Sequence, residues 1–263
     1  MRYMRLSTNE RGLSLVELMV AMVLGLLITA AVLQLFLTNR QTFNLQQGLA
    51  SIQEQGRFAV DFFSREMMSA GYGNVSSPFA ITQAVGDDEG NNLGKSEDGD
   101  RYDSVRLLLA SGPNDESLAT RCSGAEIPEN TSAWKHYSVE VNDDGNGVLR
   151  CQDDNGNINV LIDNVEAFQV LYGVAPNQDE SIAATYKPAS SVVASDKIVS
   201  IRYGLVIASD GVATSEREGI ADYYEQLFFV DPEFNLAEKI DFEDGRLRRL
   251  FVSTVALRNL AGE

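Results

Sequence analysis

Histidine and cysteine are scarce in this sequence, which contains one histidine, His136, and two cysteines, Cys122 and Cys151. A single imidazole excludes any site that needs two, such as the HExxH zinc signature. The chain also lacks a G-x-S-x-G motif, a Walker loop and a glycine-rich dinucleotide motif. We therefore predict that the protein is not an enzyme, and we interpret His136 as a surface residue at a strand end.

Positive charge is also in short supply. The chain has 21 lysines and arginines against 38 acidic residues, a net charge of −17. This balance disfavours non-specific binding to DNA or to anionic lipid headgroups, so we expect no direct contact with nucleic acid. Arg2, Arg5 and Arg11 stand near the N-terminus, so the negative charge belongs to the rest of the chain. Hydrophobic residues make up 44%, enough to bury a core.

The segment from Leu13 to Leu37 has no proline and one charged residue. As a helix it would be about 37 Å long, enough to cross a hydrocarbon core of about 30 Å. The arginines before it and the acidic residues after it predict a cytoplasmic N-terminus and a translocated body. A secretory signal peptide is the alternative, but its apolar region would be about 7–15 residues long and end in small residues. We therefore predict a retained membrane helix.

Glu17 is the one charged residue in this apolar segment. A carboxylate at the bilayer centre costs about 2.5–3.5 kcal/mol, and intramembrane charges usually have a partner. No lysine or arginine lies between Glu17 and Arg40. Cleavage after Gly12 would create an α-amino group at Leu13, a cation that could pair with a glutamate. The alternative is that Glu17 lies in the headgroup zone and reaches water.

The sequence from Gly12 through LSLVELMVAM, with Glu17 fifth after the glycine, resembles the type III signal of type IV prepilins. The resemblance implies that a prepilin peptidase cuts after Gly12 and methylates the new terminal amine at Leu13. It also implies that Glu17 neutralises the N-terminus of a neighbouring subunit during assembly. The first mature residue of this family is usually Phe or Met, whereas here it is Leu13.

The helix is predicted to continue past the membrane segment, because residues 38–70 lack proline and become amphipathic. Glycines at 71 and 73 are expected to end it. Its polar face holds Gln46, Gln47, Gln53, Glu54, Arg57, Asp61 and Arg65. The opposite face carries one stripe at spacings of three and four, which we expect to pack on a globular head: Leu45, Leu49, Ile52, Gly56, Ala59, Phe63 and Met67.

Strand-like runs follow in the second part of the chain, and several alternate between apolar and polar residues. No helical run alternates with them, which favours an antiparallel sheet. We therefore predict an α+β fold, a long N-terminal helix packed on an antiparallel β-sheet head, and this arrangement resembles the pilin fold. The predicted strands are 103–110, 136–141, 147–151, 157–162, 165–174, 197–209, 223–230 and 246–259.

The runs VEAFQVLYGV, VSIRYGLVIAS and RRLFVSTVALRN, together with GYGN at 71–74, resemble the body of PilW-type minor pilins. The resemblance implies an inner-membrane protein with a periplasmic head that joins other minor pilins and a tip adhesin to prime pilus assembly. Alternatives are a J-type pseudopilin of type II secretion and a membrane-anchored periplasmic binding module. The predicted organisation is a cleaved leader (1–12), a membrane and filament-core helix (13–37), an amphipathic helix (38–73) and a β-rich head (74–263).

A disulfide between Cys122 and Cys151 is predicted, because the translocated head would lie in an oxidising compartment. A redox or catalytic pair is the alternative, which the absence of C-x-x-C spacing disfavours. The disulfide would staple the insertion at 111–150 to the sheet.

The run from Asn142 to Gly147 has two interpretations. Asn142, Asp144, Asn146 and Asp153 stand at offsets 1, 3, 5 and 12 of an EF-type calcium loop. Asparagine at the first position and aspartate at the last weaken that interpretation. The flanking strand-like runs favour an ordinary hairpin turn, so we expect no cofactor.

Arg246, Arg248 and Arg249 form a basic cluster near the end of the chain. We expect them to balance the acidic residues just before them or to face a neighbouring pilin. At this net charge they do not indicate DNA binding.

Overall fold

A computed structural model describes residue 12 and residues 14–70, 102–111, 120–193, 195–212 and 244–257. Its internal contacts divide the chain into two units, Met1–Asn44 and Leu45–Glu263. One helix, α1, runs from Leu15 to Ser69 and contributes to both units. The predicted leader and residues 71–101, 112–119 and 213–243 lie outside the described residues, apart from Gly12.

The helix α1 is long because its sequence contains no residue that breaks it. Its 55 residues include no proline, and the amide of Leu18 donates to the carbonyl of Ser14 at 3.1 Å to close the first turn. At the other end, the amide of Ala70 donates to the carbonyl of Met67, a tighter turn that ends the helix. The predicted apolar and amphipathic segments are therefore parts of one continuous helix.

The amphipathic stripe is buried only in part. Ile52, Gly56, Ala59, Phe63 and Met67 are buried, as the helical spacing predicts. The prediction was wrong for Leu45 and Leu49, which remain 38% and 39% exposed. The polar face identified from the sequence is exposed along its whole length.

The head consists of eight described strands in two antiparallel sheets, and the predicted α+β fold is confirmed. The first sheet has the order β1-β2-β3-β4 and the second the order β6-β5-β7-β8. The three-residue strand β6 was not predicted, and the predicted strand at 223–230 lies outside the described residues. The strands are β1 Val105–Ala110, β2 Ser132–Val141, β3 Gly147–Asp153, β4 Ile158–Ile162, β5 Val165–Val174, β6 Thr185–Lys187, β7 Ile198–Val212 and β8 Arg246–Ala256.

Phe63 of α1 lies at the centre of the aromatic core. Its ring centroid lies 5.2 Å from Tyr137 on β2, 5.6 Å from Phe168 on β5 and 5.4 Å from Tyr203 on β7. All four side chains are completely buried. Such ring pairs contribute about 0.5–1.5 kcal/mol each beyond the burial of their area. The helix therefore joins both sheets through one side chain.

Asp103 connects the start of the first sheet to the second. Its amide donates to the carbonyl of Phe168 at 2.7 Å, and its carboxylate accepts from the amide of Val170 at 2.7 Å. The neighbouring Tyr102 forms an isolated parallel bridge with Phe168. A buried carboxylate that accepts a backbone N–H satisfies a donor which would otherwise cost free energy. These bonds fix the approach of β1 to β5.

Candidate assembly site

The N-terminal site predicted from the sequence lies at the start of α1. Gly12 is exposed and precedes the helix, Glu17 is exposed in its first turn, and Leu13 lies outside the described residues. A carboxylate in the first turn is favoured there, since the free N–H groups of a helix carry partial positive charge at its N-terminus. The site thus presents a carboxylate next to the predicted cleavage point.

The surface around Glu17 is apolar. The large hydrophobic side chains from Leu15 to Leu37 are all exposed, and α1 is long and apolar enough, by length and composition, to cross a membrane. In water a surface of this size marks a region that lipid or another protein covers. Within the described part of the chain, no salt bridge involves Glu17. The carboxylate therefore stands in an apolar surface without a cation supplied by the described residues.

The two cysteines are joined in a disulfide, Cys122–Cys151, with Cα atoms 5.7 Å apart. This separation lies within the usual range for a disulfide. The side-chain amide of Asn159 on β4 donates to the carbonyl of Cys122. Beside it, the guanidinium of Arg121 donates to both carboxylate oxygens of Asp154, at 2.9 and 3.3 Å. The segment before β2 is therefore held against the β3–β4 hairpin.

The residues from Asn142 to Gly147 form the turn of the β2–β3 hairpin. The side-chain oxygen of Asn142 accepts from the amides of Asp144 at 3.1 Å and Asn146 at 2.9 Å. Gly145 has a φ of +81°, in the left-handed region that favours glycine. These are the features of an Asx-type turn.

Asp153 does not join that turn. It lies at the other end of β3, about 20 Å along the strand from Gly147. Its carboxylate accepts from the amides of Asn155 and Asn157, at 3.1 and 3.0 Å, within the β3–β4 turn. Burial acts to raise the pKa of Asp153, but these hydrogen bonds outweigh it and lower the pKa. The structure thus separates Asp153 from Asn142, Asp144 and Asn146, so the four do not form an EF-type loop.

His136 lies in the middle of β2 and not at a strand end, so the sequence interpretation of its position was wrong. It is half-buried and pairs across the sheet with Arg106 of β1 and Gln152 of β3. Burial, together with the positive charges of Arg106 and Arg150, lowers its pKa to about 4. The imidazole is therefore uncharged at neutral pH.

The arginines near the C-terminus differ in their surroundings. The side chain of Arg248 is 2% exposed and binds Glu166 at 2.5 and 3.0 Å and Asp244 at 2.8 and 2.7 Å. Burial acts to lower the pKa of Arg248, but the bonds to the two carboxylates outweigh it and raise the pKa. Arg246 donates to the carbonyl of Ser209 at 2.8 Å, whereas Arg249 is exposed. Arg248 thus balances nearby carboxylates, Asp244 among them, and does not form an open basic patch.

Sequence reasoning did not identify the buried polar cluster of Glu66, Lys135 and Tyr137. The Glu66 carboxylate accepts from the Lys135 ammonium at 2.8 Å and from the Tyr137 hydroxyl at 2.6 Å. The Lys135 side chain is 7% exposed and that of Glu66 is 19% exposed. Burial, and then the charge of Glu66, raise the pKa of Tyr137 well above its usual value. The cluster joins α1 to β2 by charge as well as by packing.

Two models of known protein families match this sequence. The model of the prokaryotic N-terminal methylation motif matches residues 7–33, a range that contains Gly12, Leu13 and Glu17. In this segment the chain is similar to type IV pilin-like proteins. Within that class, the model described as Type IV Pilus-assembly protein W, PilW, matches residues 136–259. The predicted resemblance to PilW-type pilins is therefore confirmed.

Comparison with solved structures finds a similarity to the type IV-like pilin TTHA1219 from Thermus thermophilus. The TM-score is 0.45 at 17% sequence identity, and the alignment covers 80% of this chain and 98% of that one. No curated protein matches the chain.

Proposed function

We propose that the protein is a minor pilin that takes part in the initiation of type IV pilus assembly, within a tip-located complex of minor pilins. The observation that carries the proposal is the carboxylate of Glu17, exposed in the otherwise uncharged apolar segment that ends at Leu37 and five residues after Gly12. Such a charge is costly in a membrane and usually has a partner. The matches to the methylation motif and to PilW support a partner of the pilin class.

Processing supplies the partner charge in this proposal. Prepilin peptidase cleaves after Gly12 and methylates the amine of Leu13, which keeps its positive charge. Glu17 then pairs with the terminal amine of a neighbouring subunit as the helices pack together. Because the pair forms at low dielectric, each charge lowers the cost of burying the other.

The proposed location follows from charge and cysteine chemistry. The protein crosses the inner membrane once with its N-terminus in the cytoplasm, and after assembly it lies at the tip of the pilus. A periplasmic head is supported by the disulfide Cys122–Cys151, since disulfides persist in oxidising compartments. Its proposed partners are prepilin peptidase, the other minor pilins and the tip adhesin. Its role is structural and not catalytic, in keeping with the pilin class.

Replacing Glu17 by alanine tests the proposal. We expect normal membrane insertion and normal leader cleavage, but a large loss of incorporation into the complex, of surface pili and of twitching motility. Glu54→Ala is the matched control, because Glu54 is an exposed glutamate on the same helix outside the apolar segment. Full piliation by Glu17→Ala would show that the charge is dispensable and would defeat the proposed role.

Two further measurements separate the alternatives. Deletion of the gene should abolish pili; loss of secretion with intact pili would instead identify a J-type pseudopilin of type II secretion. Substitution of Gly12 by valine should leave the leader uncleaved, so the protein should migrate at a larger size. An unchanged size would support a membrane-anchored binding module and contradict both pilin functions.

A further inference from the structure

The strand β4 forms an edge of the first sheet that lacks the usual protection. Among the described strands it pairs only with β3. An edge strand presents unpaired N–H and C=O groups, which another strand can pair with, and proteins commonly block such edges with charged residues or proline. The residues Ile158–Ile162, with sequence INVLI, contain neither.

The other three sheet edges among the described strands carry cations. The edge strand β1 has Arg106, β6 has Lys187, and β8 has the exposed Arg249. A charged side chain on an edge disfavours pairing with a second chain, because the charge would lose water. The contrast therefore distinguishes β4 from every other edge of the described head.

The side chains of β4 also favour a partner. Ile158 is 50% exposed and Val160 is 62% exposed. They lie opposite the polar residues Gln152 and Arg150 of β3, on the face away from the core. They therefore contribute little to the stability of the head itself. The pairing of β3 with β4 shifts register between Leu149 and Arg150, which places the irregularity in β4 after Val160. Ile158 and Val160 therefore lie in the regularly paired part of β4.

Charge narrows the choice of partner. Asp163 directly follows β4 and is exposed, and the chain carries a net charge of −17. A second copy would bring the same negative charge and would be repelled, whereas a strand flanked by lysine or arginine would be attracted.

We propose that the outer edge of β4 binds a β-strand of a different polypeptide, an extended segment with apolar side chains at alternate positions and basic residues at its ends. The partner's backbone pairs with the free N–H and C=O groups of β4, and its apolar side chains cover Ile158 and Val160. This mode of recognition takes affinity from main-chain hydrogen bonds and specificity from alternate side chains.

The test uses the full chain purified in detergent micelles and a fluorescent peptide of alternating valine and threonine with two lysines at each end. Fluorescence anisotropy should show saturable binding to the wild-type chain. Val160→Lys should weaken binding at least about tenfold, because the new ammonium would be buried in the pairing. Val252→Lys is the matched control, since Val252 is 45% exposed on the edge strand β8, and it should bind as the wild type does.

A second peptide, N-methylated at every valine and threonine so that neither edge has N–H donors, should not bind. Equal binding by this peptide would mean that contact is only hydrophobic and would overturn the proposal, as would a wild-type chain that binds neither peptide. Unchanged affinity for Val160→Lys, or a homodimer in sedimentation that this substitution abolishes, would also overturn it. Glu17→Ala should bind the peptide normally, so the result is independent of the proposed role in pilus assembly.

Discussion

Replacing Glu66 by glutamine leaves the ammonium of Lys135 without its carboxylate while keeping an oxygen that can accept from the Tyr137 hydroxyl. The side chain of Lys135 is 7% exposed, so water cannot replace the lost charge. Removing one partner of a buried ion pair typically costs about 3–5 kcal/mol. Glu66 itself is 19% exposed, which places our expectation near the lower limit, at about 3 kcal/mol.

The assay is denaturant unfolding of the full chain in micelles, followed by near-UV circular dichroism, with the free energy of unfolding obtained by linear extrapolation. The control is Asp61→Asn, which breaks the ion pair with Arg65 one turn earlier on α1. Those two side chains are 65% and 74% exposed, so this change should cost less than about 1 kcal/mol.

A double substitution separates the lost pairing from other effects. Glu66→Gln combined with Lys135→Met removes the unpaired cation, so it should recover most of the stability that Glu66→Gln alone loses. The reasoning would be refuted by a Glu66→Gln variant as stable as Asp61→Asn. It would also be refuted if the double variant lost as much stability as the sum of the losses in Glu66→Gln and Lys135→Met alone.

Three other predictions concern the head. Because the folded pKa of His136 is about 4 against 6.5 for the free side chain, the unfolded chain binds more protons between these values, so stability should fall by about 2 kcal/mol from pH 7 to pH 5; His136→Gln should lose this part of the pH dependence in unfolding titrations. Cys122→Ser should lower the free energy of unfolding by about 4 kcal/mol in the same assay, given a sequence separation of 29. The double variant Cys122→Ser, Cys151→Ser should lose little more, because the disulfide is already absent from the single variant. Calcium should not shift the melting temperature, because the side-chain oxygen of Asn142 already accepts two backbone amides; a shift that Asn142→Ala removes would contradict this.

Local periodicity was enough to predict the stripe from Ile52 to Met67, since the helix and its buried face depend on neighbours three and four residues apart. It could not show where the head begins, which depends on strands far along the chain. Leu45 and Leu49 continue the same pattern and are nevertheless exposed. Their spacing is correct, but the described head provides no surface over them.

The position of Glu66 was harder to read, because its partners are distant in sequence. One signal was present: Glu66 lies between Phe63 and Met67, at the margin of the buried stripe. Lys135 likewise alternates in phase with the buried Ala133 and Tyr137 on β2. A glutamate and a lysine that each interrupt an apolar pattern can form a buried ion pair with each other. The sequence near either residue, however, does not show that Glu66 and Lys135 are partners.

The sites differ in the same way. The spacing of Gly12 and Glu17 is a local property that can be read directly from the sequence, and their roles in cleavage and assembly stay a prediction. The sequence also suggested an EF-type spacing for Asp153, but seven residues of strand β3 lie where a loop would have to close. A linear motif predicts a site only if the intervening chain adopts the conformation that the motif requires.

The hydroxyl of Tyr203 donates to the carbonyl of Val60 at 2.9 Å, and this contact changes how the head would respond to mechanical force. It attaches α1 to the second sheet, while Glu66, less than two turns further on, attaches the same helix to the first sheet. A pull along the helix axis would load both attachments in shear and at the same time. Because each sheet holds the helix through its own contact, tension on the helix would be shared by both sheets.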